Sequence, residues 1–190
     1  MSESDASQPG TAADAALGPA EYARLCVEAY AAGDQPPRPP DHPLYGRVAA
    51  CFCSIKKRGG LRGCIGTLEP AEPTLADEIA RNAWSAAFRD PRFPPVQADE
   101  LDALTYSVDV LSPCEPCRLT DLDPAVYGVI VSLGWRRGVL LPALEGVDTV
   151  ERQLSIALQK AGIGPDEPYV LQRFTVARYG QAAGCDTACG

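Results

Sequence analysis

Histidine is almost missing from this sequence: its 190 residues include only one, His42, within the proline-rich segment PPRPPDHP. A Ser-His-Asp triad, a Cys-His pair or a multi-histidine metal site would each depend on that one side chain. A catalytic base has to be held firmly in position, and an extended proline-rich connector is a poor place to hold one. The sequence therefore disfavours histidine-based catalysis.

Long apolar runs and an excess of positive charge are also missing. No segment approaches the roughly 20 apolar residues of a membrane span, and the first 16 residues have neither the basic start nor the apolar run of a signal peptide. The net charge is −8, which disfavours binding to the phosphates of nucleic acids and to anionic membranes. We therefore expect a cytoplasmic protein that binds neither nucleic acid nor membrane.

Cysteine, by contrast, is abundant, with eight residues. In a reducing compartment we expect most of them to be buried thiols. Cys114 and Cys117, together with Cys185 and Cys189, have spacings that fit two halves of a tetrahedral zinc site. The alternative is a set of exposed thiols that are liable to oxidation. We favour the second interpretation and expect no cofactor.

Apolar periodicity predicts three helices and several strands. Helical spacing covers residues 19–32, 75–88 and about 149–161, whereas strand patterns cover 48–55, 61–70, 105–111, 129–133, 138–142 and 169–179. In the strand 105–111, alternation places Asp109 on the solvated face. Because most strands come in hairpins, we predict an α+β fold with a mainly antiparallel sheet and flanking helices.

Composition divides the chain into three parts. Residues 1–16 are small and polar and are predicted to be disordered. Residues 17–180 carry all the predicted elements and form one domain. Residues 181–190 form a predicted flexible tail that contains two cysteines.

The segment LRGCIGTLEP, residues 61–70, is the first candidate site. Gly63 and Gly66 would leave backbone open to a ligand or a neighbouring strand, and Cys64 between them would be an accessible thiol. Arg62 would favour the thiolate form, and Glu69 would orient a proton or hold Arg62. The alternative is a tight hairpin with a buried structural cysteine.

A second candidate follows the second predicted helix. Arg89 and Asp90 would bind a ligand in a cleft, or they would cap the helix with a surface ion pair worth under about 1 kcal/mol.

Farther along, Trp135 lies at a predicted hairpin tip. It would form a cation–π contact with a partner, or it is simply an exposed turn residue.

Several segments together resemble the AMMECR-one domain family, also called AmmeMemoRadiSam system protein A. The signature is LRGCIGTLEP, and further matches follow in order over about residues 20–180: FCSIKK at 52–57, NAWSAAFRDPRFPPV at 82–96, VDVLSP at 108–113, RRGVLLP at 136–142 and YVLQRFTV at 169–176. The resemblance implies two lobes, a larger α+β lobe and a smaller β lobe, with a cleft between them. No settled reaction comes with this family.

The resemblance also implies partners, namely Memo-type proteins, extradiol-dioxygenase-like subunits and radical-SAM proteins. The chain lacks the CxxxCxxC cluster motif of a radical-SAM protein and the histidine pair of a dioxygenase-like subunit, so it is itself neither of these two partners. One hypothesis is a module that docks through a cleft around LRGCIG. The other is an enzyme acting on a small anionic metabolite, with Cys64 as nucleophile, Arg62 as anion clamp and Glu69 as acid/base. Substrate, partner and oligomeric state stay open.

Overall fold

A computed structural model of the chain describes residues 17–180. Its strands form two four-stranded sheets, in the orders β2-β1-β3-β8 and β4-β7-β5-β6, with antiparallel pairing of β1 with β2, β4 with β7, and β5 with both β6 and β7. The predicted α+β class is confirmed.

The elements are α1 (Pro19–Ala32), β1 (Cys51–Lys57), β2 (Gly60–Gly66), α2 (Leu75–Phe88), β3 (Leu104–Leu111), β4 (Glu115–Pro116), β5 (Gly128–Leu133), β6 (Arg136–Leu140), α3 (Val150–Ala161), β7 (Val170–Phe174) and β8 (Val176–Gly180), with short 3-10 helices at Ala98–Ala103 and Leu119–Asp121.

The described residues divide into two compact units. The first comprises the residues up to Val108 together with Tyr179 and Gly180, and the second comprises Asp109–Arg178. Helices α1 and α2 belong to the first unit, and α3 belongs to the second. The predicted cleft between two lobes stays a prediction, and the predicted segments 1–16 and 181–190 lie outside the described residues.

The core of the first unit lies between α2 and β1. Cys51, Cys53 and Ile55 alternate along β1 as buried residues, so they share the face that meets the helix. The Cys53 Sγ lies 3.6 Å from the Ile79 carbonyl oxygen, and the Asn82 amide donates to the Cys51 carbonyl at 3.0 Å. Cys51 and Cys53 therefore place small side chains on the face of β1 that meets the helix.

The β1–β2 hairpin turns through two residues with positive φ, Arg58 at 51° and Gly59 at 81°. Positive φ at both central residues is the requirement of a type I′ turn, whose twist matches that of the flanking strands. The register shifts between Ile55 and Lys56, which marks a bulge near the tip. The predicted hairpin with a glycine turn is present.

Gly63 lies where β2 touches α2. A Cβ atom at this position would lie 2.1 Å from the Ala86 carbonyl oxygen. The second unit repeats the arrangement, since a Cβ on Gly138 of β6 would lie 2.0 Å from the Ala157 carbonyl oxygen of α3. In both units a helix backbone thus meets a strand directly, which only glycine permits.

The last predicted strand, residues 169–179, is two strands. β7 belongs to the second sheet and β8 to the first, and Thr175 separates them. The Thr175 N–H donates to the Ser112 Oγ at 2.9 Å, and the Thr175 carbonyl accepts from the Ser112 N–H at 3.0 Å. The sequence pattern of residues 169–179 shows no interruption at Thr175, so periodicity alone does not detect the break.

Asp109 of β3 also departs from the expected pattern, because it is buried rather than solvated. Its carboxylate accepts from the Arg178 Nε at 2.7 Å and from the Arg178 Nη2 at 3.1 Å. A buried carboxylate needs such a partner, and Arg178, far along the sequence, provides it. Within residues 17–180, no helix is both long enough and apolar enough to cross a membrane.

We expect the Gly63→Ala substitution to lower the free energy of unfolding by about 3 kcal/mol, because the added methyl group forces α2 away from β2. Urea unfolding followed by circular dichroism measures this change. Gly60→Ala is the matched control, since the nearest heavy atom to its Cβ would be 3.6 Å away, and its effect should stay within about 0.5 kcal/mol. Equal effects for the two substitutions would contradict the packing explanation.

Candidate functional site

Cys64 lies on β2, which is the edge strand of the first sheet. Its backbone groups do not face open solvent, because the segment after α2 covers them. The Cys64 N–H donates to the Asp90 Oδ2 at 2.9 Å, and the Cys64 carbonyl accepts from the Arg92 Nη2 at 3.1 Å. These two side chains take the place of a further strand and satisfy the exposed edge.

Asp90 is nearly enclosed, with a side chain that is 1% exposed. Its carboxylate also accepts from Arg92 three times, from the backbone N–H at 3.1 Å, from Nε at 2.9 Å and from Nη2 at 2.6 Å. The Arg92 guanidinium is the main reason that the pKa of the Asp90 carboxyl lies well below its usual range. Both carboxylate oxygens therefore have internal partners, which weakens the predicted ligand-binding role of Asp90.

The structure shows Glu100 as a partner of Arg62, whereas the sequence suggested Glu69, and the predicted Arg62–Glu69 contact stays a prediction. The Arg62 Nε and Nη2 donate to the two Glu100 oxygens at 3.1 and 2.6 Å, and the Lys57 Nζ adds a third bond at 2.8 Å. Arg62, followed by Lys57, lowers the pKa of Glu100 to about 2. The Arg62 Nη1 is buried and has no hydrogen-bond partner among the described residues, so the guanidinium offers little to a solvent-borne anion.

The Cys64 thiol lies on the face of the sheet opposite α2. Strand alternation puts Ser54 on the same face, and the Ser54 hydroxyl donates to the Cys64 Sγ at 3.2 Å. The pKa of Arg92 is raised mainly by Asp90 and, among smaller causes, by the Cys64 side chain. The half-buried sulfur therefore accepts a hydrogen bond from a hydroxyl, and the Arg92 guanidinium is bound to the carbonyl of the same residue.

The two glycines of the motif serve packing. Gly63 accommodates α2, as described above. A Cβ on Gly66 would lie 2.3 Å from the Phe52 ring and 2.6 Å from the Cys51 carbonyl oxygen. Their missing side chains therefore make room for the protein's own atoms, and the predicted contact with a ligand stays a prediction.

Glu69 is exposed, in the segment that follows β2. The fully buried Glu78 holds this segment in place. Its Oε2 accepts from the backbone N–H groups of Ala71 and Glu72, both at 2.9 Å, and its Oε1 accepts from the Thr67 hydroxyl. The predicted acid/base role of Glu69 stays a prediction.

Two arginines in the segment that follows α2 stack on aromatic rings. The Arg89 guanidinium lies 5.1 Å from the centroid of Trp84, and the Arg92 guanidinium lies 5.5 Å from that of Phe93. Both arginines are exposed, whereas both rings are half-buried. We refer to Trp84, Arg89, Arg92 and Phe93 as the arginine–aromatic surface.

The remaining cysteines do not assemble a metal site in the described chain. Cys114 and Cys117 are half-buried on either side of β4, and Cys185 and Cys189 lie outside the described residues. Within residues 17–180, no group of three or more His, Cys, Asp or Glu side chains could hold a metal ion. The zinc hypothesis therefore gains no support. Burial raises the pKa of Cys26 to about 12, as expected for an inert core thiol.

Sequence reasoning missed Ser54, Glu78, Asn82 and Glu100 as parts of this region. A signal existed for one pair, because Glu78 and Asn82 are polar residues at i and i+4 on the apolar face of α2, and their side chains bond at 3.2 Å. Glu100 carries no local signal. It lies 38 residues beyond Arg62 in a short 3-10 helix, and only the tertiary fold brings the two together.

Because of the Arg62–Glu100 pair, we expect the free energy of unfolding to depend on pH. The folded pKa of about 2 lies below the unfolded value of 4.5, so the stabilisation is present above about pH 5 and is lost as the pH falls towards 2. At pH 7, Glu100→Gln should lower the free energy of unfolding by about 2–4 kcal/mol. The difference from the wild type should shrink towards pH 2, where Glu100 is protonated.

Urea unfolding at pH 7, 5, 4 and 3 measures this difference. Glu115→Gln is the control, since Glu115 is 58% exposed in its pair with Arg173, and it should change stability by less than about 1 kcal/mol. A difference for Glu100→Gln that does not depend on pH would contradict the ion-pair explanation.

Comparison with known proteins extends these observations. The sequence model of the AMMECR1 family matches residues 20–183. A Thermotoga maritima protein is 58% identical over 139 residues, which cover 72% of this chain and 80% of that protein. A Clostridium acetobutylicum protein is 52% identical over 128 residues, which cover 67% of this chain but only 27% of that protein.

A solved structure supports the same assignment. The crystal structure of an uncharacterised protein from Pyrococcus horikoshii is similar to this one, with a TM-score of 0.77 and 30% identity. The similarity covers 84% of this chain and 88% of that one. Since the family's sequence model spans nearly all the described residues and both helices and hairpins follow its motifs in order, the chain belongs to the AMMECR1 family.

Proposed function

We propose that this chain is a cytoplasmic docking module that works as a subunit beside a Memo-type, extradiol-dioxygenase-like or radical-SAM protein. The arginine–aromatic surface next to the LRGCIG strand is the observation that carries the proposal. It consists of Trp84, Arg89, Arg92 and Phe93, the residue types that dominate the energetic centres of protein interfaces.

The surface is fixed before any partner arrives. Asp90 holds Arg92 through a bidentate bond, and the Cys64 carbonyl accepts a further bond from it, while 53% of the Arg92 side chain stays exposed. Binding therefore costs little side-chain entropy. Because two guanidinium groups face outwards on a chain of net charge −8, the complementary partner surface should be acidic.

The Clostridium relative supports a modular role. Its matched segment makes up 27% of its length, so most of that protein lies outside the part that is similar to this chain. A domain that occurs within a longer chain has neighbours to contact. We infer that this chain meets an equivalent neighbour as a separate protein.

The ion pair that Arg62 forms inside the protein also favours docking over catalysis. Arg62, which the catalytic alternative requires as an anion clamp, is bound to Glu100 on two nitrogens. Glu69 is exposed, and the segment that follows it is anchored by the buried Glu78. Of the groups that the catalytic alternative requires, Arg62 is thus committed to an internal ion pair, which favours docking.

Charge reversal at Arg89 tests the docking proposal. Arg89→Glu should weaken binding to the partner at least about tenfold, because it removes a stacked guanidinium from the centre of the surface. Biolayer interferometry with the purified Memo-type and radical-SAM proteins of the same organism measures the dissociation constants. Arg81→Glu is the control, as Arg81 is an exposed arginine of α2 outside the arginine–aromatic surface, with 48% side-chain exposure, and it should stay within about twofold.

Two results would contradict the docking proposal. The first is the absence of binding to any of these proteins by the wild-type chain. The second is an equal loss of affinity for both variants, since that would reflect net charge rather than a specific surface.

The second candidate function is an enzyme that uses Cys64 as nucleophile on a small anionic metabolite. The observation in its favour is the hydrogen bond that the half-buried Cys64 Sγ accepts from the Ser54 hydroxyl, on the residue whose carbonyl the Arg92 guanidinium binds. In this version Arg92 would assist the thiolate, and Arg62 would only support the strand. A reactive thiol is the property that separates this candidate from docking.

Native iodoacetamide labelling with mass spectrometry tests that property. We expect Cys64 to react at least about tenfold more slowly at pH 7.5 than in the urea-unfolded chain, because its sulfur is half-buried and hydrogen-bonded. Cys64→Ser identifies the peptide and is the control for labelling elsewhere. If Cys64 reacts faster in the native chain than in the unfolded one, the enzyme candidate replaces the docking module.

A further inference from the structure

The tip of the β1–β2 hairpin is a basic region on an acidic chain. Residues 56–62, KKRGGLR, include four of the chain's 17 basic residues and no acidic one, although the net charge is −8. Two of these four side chains have an internal partner, since Lys57 and Arg62 both donate to the Glu100 carboxylate. These bonds connect the hairpin to the 3-10 helix that carries Glu100, so the tip is held in a fixed position.

The other two basic side chains, those of Lys56 and Arg58, are exposed. Among the residues that the structure describes, neither side chain forms an ion pair or a hydrogen bond. Leu61 is also exposed, to 46%, and it is the cross-strand partner of Lys56. Cross-strand partners lie on one face of a sheet, so two available cations accompany an apolar side chain. We refer to Lys56, Arg58 and Leu61 as the hairpin patch.

The backbone conformation of Arg58 indicates that its side chain has a role outside the fold. Its φ of 51° lies in the left-handed region, where glycine, asparagine and aspartate are the common residues. Type I′ turns favour asparagine or glycine at this position, so arginine weakens the turn. Within residues 17–180, the guanidinium forms no bond that would offset this cost. Residues that break a local rule without a structural gain are typical of functional surfaces.

We propose that the hairpin patch binds an acidic peptide segment of another protein, with carboxylates on Lys56 and Arg58 and an apolar side chain on Leu61. The two cations are complementary to carboxylates, and the planar guanidinium can bind one of them through two hydrogen bonds. An acidic peptide offers carboxylates and an apolar group at adjacent positions, which is the combination that the patch requires.

The same observations disfavour two other anionic partners. Nucleic acids and anionic bilayers are large polyanionic surfaces, and the net charge of −8 opposes the approach of this chain to either. One exposed leucine is also too little apolar surface for insertion into a membrane. A short acidic peptide contacts only the local positive charge of the hairpin, so the acidic remainder of the chain opposes it less.

This proposal goes beyond the docking function proposed above and does not rest on it. The hairpin patch and the arginine–aromatic surface share no residue. The test uses a synthetic peptide and no partner protein, and Arg89 is unchanged in every variant. Failure of one proposal is therefore distinguishable from failure of the other.

An NMR titration of the isotope-labelled full chain with a capped synthetic peptide of sequence EELEE tests the proposal. At about 50 mM NaCl, where surface charges are weakly screened, the largest changes in amide chemical shift should fall on residues 56–61. The matched peptide QQLQQ removes the negative charge, and EESEE removes the apolar side chain. Each should bind at least about threefold more weakly than EELEE.

Two variants separate binding from folding. Arg58→Asn should raise the dissociation constant for EELEE at least about threefold, whereas its urea midpoint should rise, because asparagine adopts positive φ more readily. Leu61→Ser should weaken the binding of EELEE but not that of EESEE. Arg47→Asn is the control, since it makes the same charge change at an exposed position outside the hairpin, and its dissociation constant should stay within about twofold of the wild type.

Several outcomes would overturn the proposal. Unchanged amide shifts at residues 56–61 up to about 5 mM EELEE would show that the patch does not bind such a peptide. Equal losses of affinity for Arg58→Asn and Arg47→Asn, or equal binding of EELEE and QQLQQ, would exclude a specific charged contact. A lower urea midpoint for Arg58→Asn would show that the arginine serves the turn itself. Binding to phosphatidylserine vesicles without binding to EELEE would assign the patch to a membrane instead.

Discussion

The direct contact between a helix backbone and a strand at Gly63 is the constraint on which the candidate site depends. With the Ala86 carbonyl 2.1 Å from the place of a Cβ, α2 cannot approach β2 unless residue 63 is glycine. This contact fixes the strand on the helix, and the residues on either side, Arg62 and Cys64, are positioned as a consequence. Gly138 and Ala157 repeat the arrangement in the second unit, so the fold uses one packing solution twice.

The second organising feature is that buried carboxylates hold the arginine within LRGCIG and the arginine that covers its strand edge. Asp90 binds Arg92, and Glu100 binds Arg62. Removing one partner from such a pair leaves a buried charge without compensation, which is costly. The basic and acidic residues around LRGCIG therefore stabilise the strand edge first, and Arg92, with 53% of its side chain exposed, keeps surface for an additional role.

Much of the fold could be predicted from local sequence, because apolar periodicity and caps are local properties. Helices α1 and α2 begin and end where their spacing predicts, and the type I′ hairpin follows from its glycine turn. The break at Thr175, the burial of Asp109 and the Arg62–Glu100 pair depend on residues far apart in the chain, so no local pattern reveals them. The same holds for the site: Cys64 and Arg62 could be singled out by composition, but their partners Ser54 and Glu100 could not.

These two features bear on the choice between docking and chemistry. A catalytic site needs polar groups that stay available to a substrate and that change partners during a reaction. Around Cys64 the polar groups already have partners, and those partners are buried or backbone atoms that a substrate cannot easily displace. A docking surface has the opposite requirement, since rigidity lowers the entropic cost of association. The bonds to Glu100 thus occupy Arg62, whereas a separate set of bonds, to Asp90 and the Cys64 carbonyl, orients Arg92 while 53% of its side chain stays exposed. Under the docking proposal, this fixed guanidinium is the one that a partner meets.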